Sequence, residues 1–211
     1  DDAGRLTRVT SPPSSQTTDS YYDSVGNRTR ETNALTQNTD FKYDDRNRLT
    51  RVTDHLSNNS DSFYDKAGNR TRERDANSNN TDYAYSAVNQ LTQLTNSLTN
   101  TVKYVFDPAG NRTRVTNETS KNWDYLFDFA GRVTKMTQPD STTESSYYDG
   151  NGNVTRKTDG NGANTDYLYD SINRLTKKDF PVGTTDVSFF YDNGGRRTKT
   201  TDATGDWTFA Y

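Results

Sequence analysis

One histidine, His55, and no cysteine leave the chain few of the groups that carry covalent chemistry. No serine, histidine and aspartate triad and no metal-ligand set can be assembled around His55, which therefore reads as a loop residue. Carboxylates are plentiful enough to supply a glycosidase pair, yet most fall at regularly recurring positions where a structural role accounts for them. The run Asp149-Gly-Asn-Gly-Asn153 opens like an EF-hand loop, but Val154 stands where the loop glycine belongs and Gly160 where the bidentate glutamate belongs. No enzymatic activity, metal or cofactor is expected. What remains is aromatic: 14 Tyr, 9 Phe and 2 Trp. Flat rings beside polar groups can hold sugars, with Trp123 and Trp207 as candidate glycan contacts. Rings interleaved with basic residues can also bind single-stranded nucleic acid, but 26 Lys and Arg against 29 Asp and Glu give a net charge of −3, and no nucleic-acid partner is expected.

The elements that must position these rings follow from a repeat. An aromatic recurs at Tyr22, Tyr43, Tyr64, Tyr85, Phe106, Phe127, Tyr148, Tyr169, Tyr191 and Tyr211, at a spacing of 21 that changes only near the end. Asp follows it at Asp23, Asp44, Asp65, Asp107, Asp128, Asp149, Asp170 and Asp192, Ser86 is the one departure, and Asp1 has the same phase. Three residues on stands Gly4, Gly26, Asn47, Gly68, Asn89, Gly110, Gly131, Gly152, Asn173 or Gly195, and three residues beyond that stands Thr every time. Asp-x-x-Gly/Asn is a turn signal: Asp favours the first position of a type I turn, and Gly or Asn tolerates the left-handed residue that closes a three-residue hairpin loop. Flanking segments rich in Thr, Val and Tyr suit strands. The second connection of each repeat, such as Asn33 to Asn38 or Asp159 to Asn164, reads as a polar loop. The chain is thus expected to be all-β: tandem 21-residue hairpins in one long antiparallel sheet, residues 1–211 forming a single array of ten repeats.

A three-residue loop sets the register, so each turn Asp should face the residue after Gly or Asn and each repeat aromatic the residue after that. Alternation then gathers Phe41, Tyr83, Tyr104, Trp123, Tyr125, Tyr167, Phe189, Trp207 and Phe209 on the face of the repeat aromatics. Arg8, Arg30, Arg51, Arg72, Arg114, Lys135, Arg156, Lys177 and Lys199 are expected across from that face, with their charges over the rings. The residue opposite the repeat aromatic alternates Leu6, Arg28, Leu49, Arg70, Leu91, Arg112, which suggests a 42-residue double repeat.

The run Tyr-Asp-x-x-Gly-Arg/Asn-x-Thr, at Tyr22–Thr29, Tyr64–Thr71, Tyr148–Thr155 and Tyr191–Thr198, resembles the YD-repeat or Rhs (rearrangement hotspot) family. The resemblance covers essentially the whole chain. It implies that this sheet curls into a hollow shell or tube, similar to the shells of bacterial polymorphic toxins, insecticidal toxin complexes and teneurins. Such proteins are exported or surface-displayed, and the shell often encloses a toxic domain. The family's closing region, with its aspartyl protease-like cleavage site, has no counterpart in these residues.

The expected function is accordingly a non-enzymatic wall of a secreted or cell-surface shell or tubular filament, with a glycan-binding adhesion module as the alternative. Expected partners are further repeats or another copy along the terminal sheet edges, an enclosed cargo domain, and a glycan. No stretch approaches 18 consecutive apolar residues, so no membrane insertion is expected. About 20 strands at ~4.8 Å each make a sheet roughly 96 Å wide, less than the about 140 Å needed to circle a cargo of about 100 residues.

Overall fold

The computed structural model describes residues 1–11 and 16–211. Every regular element among them is a strand. Contacts divide the chain into two compact units, Asp1–Lys103 and Tyr104–Tyr211. The strands in order are β1 (Arg8–Ser11), β2 (Gln16–Tyr22), β3 (Arg28–Thr32), β4 (Asn38–Tyr43), β5 (Leu49–Thr53), β6 (Asn59–Tyr64), β7 (Arg70–Arg74), β8 (Asn80–Tyr85), β9 (Leu91–Thr95) and β10 (Thr101–Phe106). There follow β11 (Arg112–Thr116), β12 (Asn122–Phe127), β13 (Val133–Thr137), β14 (Thr143–Tyr148), β15 (Val154–Thr158), β16 (Asn164–Tyr169), β17 (Leu175–Asp179), β18 (Val187–Tyr191), β19 (Arg197–Asp202) and β20 (Gly205–Thr208). Within each unit every strand pairs antiparallel with the next one in sequence, the meander that two tight turns per repeat require.

The first turn of each repeat forms as its residues dictate. The amide of Gly26 donates to the Asp23 carbonyl at 3.2 Å and that of Asn47 to the Asp44 carbonyl at 2.9 Å, and the same bond recurs at Asp1/Gly4, Asp65/Gly68, Ser86/Asn89, Asp107/Gly110, Asp128/Gly131, Asp149/Gly152, Asp170/Asn173 and Asp192/Gly195. Asn47 sits at φ 59°, the left-handed region that asparagine tolerates. The carboxylate completes the turn: Asp23 Oδ1 accepts from the amides of Val25 and Asn27.

Two features depart from expectation. The second connection is a turn of the same construction, not an open polar loop: Thr36 N donates to the Asn33 carbonyl and Asn33 N to that of Gln37. Its left-handed residue is Thr36, Ser57, Ser78, Thr99, Ser120 or Ser141, with φ between 59° and 71°, and is Gly162, with φ 82°, in the turn that Asp159 begins. The side chain at its first position does the work of the turn Asp, since Asn33 Oδ1 accepts from Leu35 N and Gln37 N. The second departure is a β-bulge after the first turns that begin at Asp23, Asp44, Asp65, Ser86, Asp128, Asp149, Asp170 and Asp192, which changes the face that the basic row occupies. Tyr22 pairs with Arg28 as expected, but Tyr21 pairs with Arg30, so Thr29 is the extra residue and its hydroxyl donates back to the Tyr21 carbonyl. The bulge carries Arg30, Arg51, Arg72, Arg114 and Arg156 away from the repeat aromatics to the opposite face, where they pair with Asp40, Asp61, Asp82, Asp124 and Asp166. Arg8, bonded to Asp19, and Lys199, over the Phe190 ring, also lie on that opposite face. The recurring Thr is therefore the bulge residue, its hydroxyl holding a carbonyl at Thr50, Thr71, Thr92, Thr113, Thr134 and Thr176 as well.

No hydrophobic side chain among the described residues is buried, and the one buried polar side chain is that of Asp61, which receives both Arg51 and Arg74. Each unit is a single layer held by its ladders and by side chains stacked along its faces.

A β-branched residue in the left-handed region costs about 1–2 kcal/mol relative to glycine's freedom there, partly offset by the extra unfolded-state entropy of glycine. Thr36→Gly and Thr99→Gly should each stabilise the fold by about 1 kcal/mol, read as a higher urea midpoint with unchanged slope.

Candidate functional site

The geometry that recurs in this molecule is the seam between one hairpin and the next. Between β3 and β4 the ladder runs only from Thr32 and Asn38 to Arg30 and Asp40, so the carbonyl of Arg28 lies beyond it. The hydroxyl of Tyr43 reaches across and donates to that carbonyl at 3.0 Å. The same bond joins Tyr22 to Leu6, Tyr64 to Leu49, Tyr85 to Arg70, Tyr148 to Val133, Tyr191 to Leu175 and Tyr211 to Arg197. Each of these rings thus closes a backbone gap in the preceding repeat. Phe106 and Phe127 hold the same ladder position without a hydroxyl, and Tyr169 is half-buried, its phenol pushed up by burial first and then by the Asp149 carboxylate.

A second link joins successive first turns and takes one of two forms. Where the residue after Gly or Asn is Arg, its guanidinium binds its own turn Asp, lies over the next repeat's ring and donates to the next turn's backbone. Arg48 bonds Asp44 at 2.7 Å, stacks 4.5 Å from the Tyr64 centroid and donates to the Asp65 carbonyl at 3.2 Å. Arg5 and Arg174 do the same with Tyr22 and Asp23 and with Tyr191 and Asp192, while Arg132 and Arg196 stack on Tyr148 and Tyr211. Where that residue is Asn and the next left-handed residue is also Asn, its amide bonds its own Asp and that Asn: Asn27 to Asn47, Asn69 to Asn89 and Asn153 to Asn173, at 2.8–3.0 Å.

The aromatic face carries a matching alternation. In the first unit Arg28 and Glu31 form an ion pair, as do Arg70 and Glu73, and the intervening rungs are Leu49 with Val52 and Leu91 with Leu94. The guanidinium of Arg28 lies 4.7 Å from the Phe41 centroid, and that of Arg70 lies 5.1 Å from Tyr83. Trp123, half-buried, stands opposite Val115. Trp207 stands opposite Thr200 at the strand after β19, 59% exposed, with its indole N–H on Thr204. The two lie on separate strands, β12 and β20.

Reactive groups are not brought together. Among the described residues no cluster of three or more His, Cys, Asp or Glu could hold a metal ion. The Asp149 carboxylate is already occupied by the amides of Asn151 and Asn153 and the Asn153 side chain. His55 is the first of the three residues within the second turn that Asp54 begins.

A family model described as Teneurin YD-shell matches residues 63–211. The chain belongs to the Teneurin YD-shell family. An RHS Repeat model matches residues 1–36 and 22–56 at the other end. Among solved structures the chain is similar to the Photorhabdus luminescens Tc holotoxin pore, with TM-score 0.55 and 17% identity, over 89% of this chain and 13% of that one. It is likewise similar to a TcdB2-TccC3 crystal structure, with TM-score 0.55 and 16% identity, over 88% of this chain and 14% of that one. The chain thus spans about an eighth of the length of those structures, and at this identity the likeness is one of fold. No curated protein matches it. The all-β YD repeat read from the sequence is what these comparisons show, and none of them favours the glycan-binding alternative.

Two outcomes follow from the seam. Tyr64→Phe removes a hydrogen bond to a carbonyl beyond the ladder and should cost about 1 kcal/mol, measured by urea denaturation, while Tyr64→Leu also loses the Arg48 stack and should cost more. The turn carboxylates are held below their ordinary value by the groups that bond them, Asp44 by Arg48 to about 2 and Asp23, Asp65 and Asp107 by their asparagines. An acid whose folded pKa is depressed contributes stability that is full above its unfolded value near 4 and is lost as pH falls through the folded one. The strand circular-dichroism signal and melting temperature should hold at neutral pH and fall between about pH 4 and pH 2.

Proposed function

We propose that the chain is a stretch of non-enzymatic wall in a secreted or cell-surface β-sheet shell, a structural part whose task is to extend and enclose. The observation that carries this reading is the seam: repeat after repeat supplies a hydroxyl, guanidinium or amide that fixes its neighbour, so the design propagates in one direction and, among the described residues, converges on no metal-binding cluster. A one-layer sheet without an apolar interior also leaves its half-buried aromatic row available to whatever lies against it. YD-shell membership and the fold likeness to Tc toxin structures support an enclosed polypeptide cargo. Further repeats, in the same chain or in a neighbouring copy, would lengthen such a wall strand by strand, and where copies join head to tail the product is a tubular filament. On this reading residues 1–211 act as one array of repeats.

Electron microscopy of the intact natural polypeptide or assembly tests the proposal. The expected image is a continuous β wall, with strands ~4.8 Å apart, around internal density. A repeat segment standing open, with both faces in solvent and nothing enclosed, would overturn it.

A further inference from the structure

Within the second unit one seam lacks both kinds of turn-to-turn link. Turns Asp128–Arg132 and Asp149–Asn153 are joined by Arg132 over Tyr148, the next pair by Asn153 and Asn173, and the next by Arg174. Between turns Asp107–Asn111 and Asp128–Arg132, among the described residues, no side-chain hydrogen bond or cation stack crosses. Asn111 bonds Asp107 at 2.9 Å, as Asn27 bonds Asp23, but the position that should accept its second N–H is Gly131, which has no side chain. The ring at this seam is Phe127, so the hydroxyl link is missing as well.

A cleft of about 740 Å³ opens at this seam, lined by Asp107, Asn111, Phe127, Asp128, Phe129 and Gly131. Three groups meet a guanidinium in the filled seams: the carboxylate of the first turn, the ring of the next repeat and the carbonyl of the next turn. All three are present here as the Phe127 ring, the Asp128 carbonyl and the Asp107 carboxylate, which accepts from the Asn111 backbone and side-chain amides at 2.9 Å but from no guanidinium, position 111 not being arginine. Asp107 faces asparagine where Asp44 and Asp170 face arginine, so the site keeps a negative charge that the filled seams neutralise. Phe129, fully exposed, stands at the rim, where it can cover the aliphatic part of an incoming side chain.

We propose that this cleft is a docking seat for an arginine side chain presented by another polypeptide, which completes from outside the link that Arg5, Arg48 and Arg174 make from within. Recognition is of the planar fork, which stacks on the ring while donating to carboxylate and carbonyl in the directions already used at Arg48. An ammonium group lacks that geometry.

Titration of the isotope-labelled chain with N-acetyl-Gly-Arg-Gly-amide tests the seat by NMR. Saturable shifts are expected at the amides of Asn111, Phe129 and Gly131, with the lysine peptide weaker by on the order of tenfold, which corresponds to about 1.4 kcal/mol. Asn111→Arg should fill the seat in cis and abolish the shifts. Gly131→Asn should do so independently by restoring the amide link, since a Cβ at Gly131 would stand 3.4 Å from Asn111 Oδ1 and asparagine tolerates its φ of 74°. Equal response to the lysine peptide, shifts that survive in both variants, or no saturable shift in the parent chain would each overturn the proposal.

Discussion

A sheet one layer thick has no interior, so any backbone group left out of its ladders must be satisfied by a side chain reaching along the surface. In this chain that constraint falls at one repeated place. The ladder between neighbouring hairpins stops short of the first-turn edge, and the carbonyl that projects there is met by the phenol of the following repeat. The aromatic, the turn carboxylate and the residue after the left-handed position act as one unit: the carboxylate folds its own turn and holds the guanidinium or amide, which in turn fixes the next turn. Hydrophobic burial, which usually dominates folding, is here confined to half-covered rings and aliphatic stems. Directional contacts of about 1 kcal/mol each, repeated along the chain, supply what the missing core does not.

The parts of this design that were legible in the sequence are those in which one residue type has one physical reason to recur. Gly or Asn at the left-handed position and Asp before it define the first turn, and the aromatic period defines the repeat. The second turn escaped because in most repeats Ser or Thr holds its left-handed position, and neither residue advertises positive φ; Asp159 to Gly162 does carry the Asp-x-x-Gly signal of the first turn. The readable signal was the side-chain acceptor at Asn33, Asp54, Asp75, Asn96 and Asn117, spaced by 21 like the turn Asp. The bulge escaped for a different reason. An extra residue changes the face of everything beyond it without altering local propensity, so only the cross-strand partners betray it. Asp40 and its repeats, each opposite an Arg, were such partners. The seam was the least legible part, because its atoms come from residues about fifteen or about twenty apart on different hairpins.

The two covarying turn links give the repeat a second period. An Asn after one turn calls for an Asn at the left-handed position of the next, as at Asn27 and Asn47, whereas an Arg needs only backbone there and leaves the next turn free to use Gly, as at Arg48 and Gly68. Arg–Glu rungs and apolar rungs, Leu49 with Val52 and Leu91 with Leu94, alternate on the aromatic face in the same phase through the first unit. A 42-residue unit is therefore a physical consequence of how unlike neighbours fit. An Asn whose next turn offers Gly at the left-handed position breaks it, which is what happens where Asn111 meets Gly131.

The bulge does more than move the basic row. Arg30 pairs with Tyr21 on one side and Asp40 on the other, whereas the counterpart of Asp40 one repeat earlier is Asp19, two residues from Tyr21. Arg156 repeats the relation with Tyr147 and Asp166 in the second unit. Each hairpin is thus offset by two residues, about 6.6 Å, from the one before, or one residue per strand. That ratio is the shear of closed barrels whose strands tilt by about 36°. In this register a wall cannot grow straight across its strands; each added hairpin is displaced along the strand direction as well as beside its neighbour. A continuous sheet that curves while shearing at a constant rate advances as it turns, so its circuits need not collide. The same extra threonine that hides a register shift from the sequence thereby adds one of the two residues of that offset.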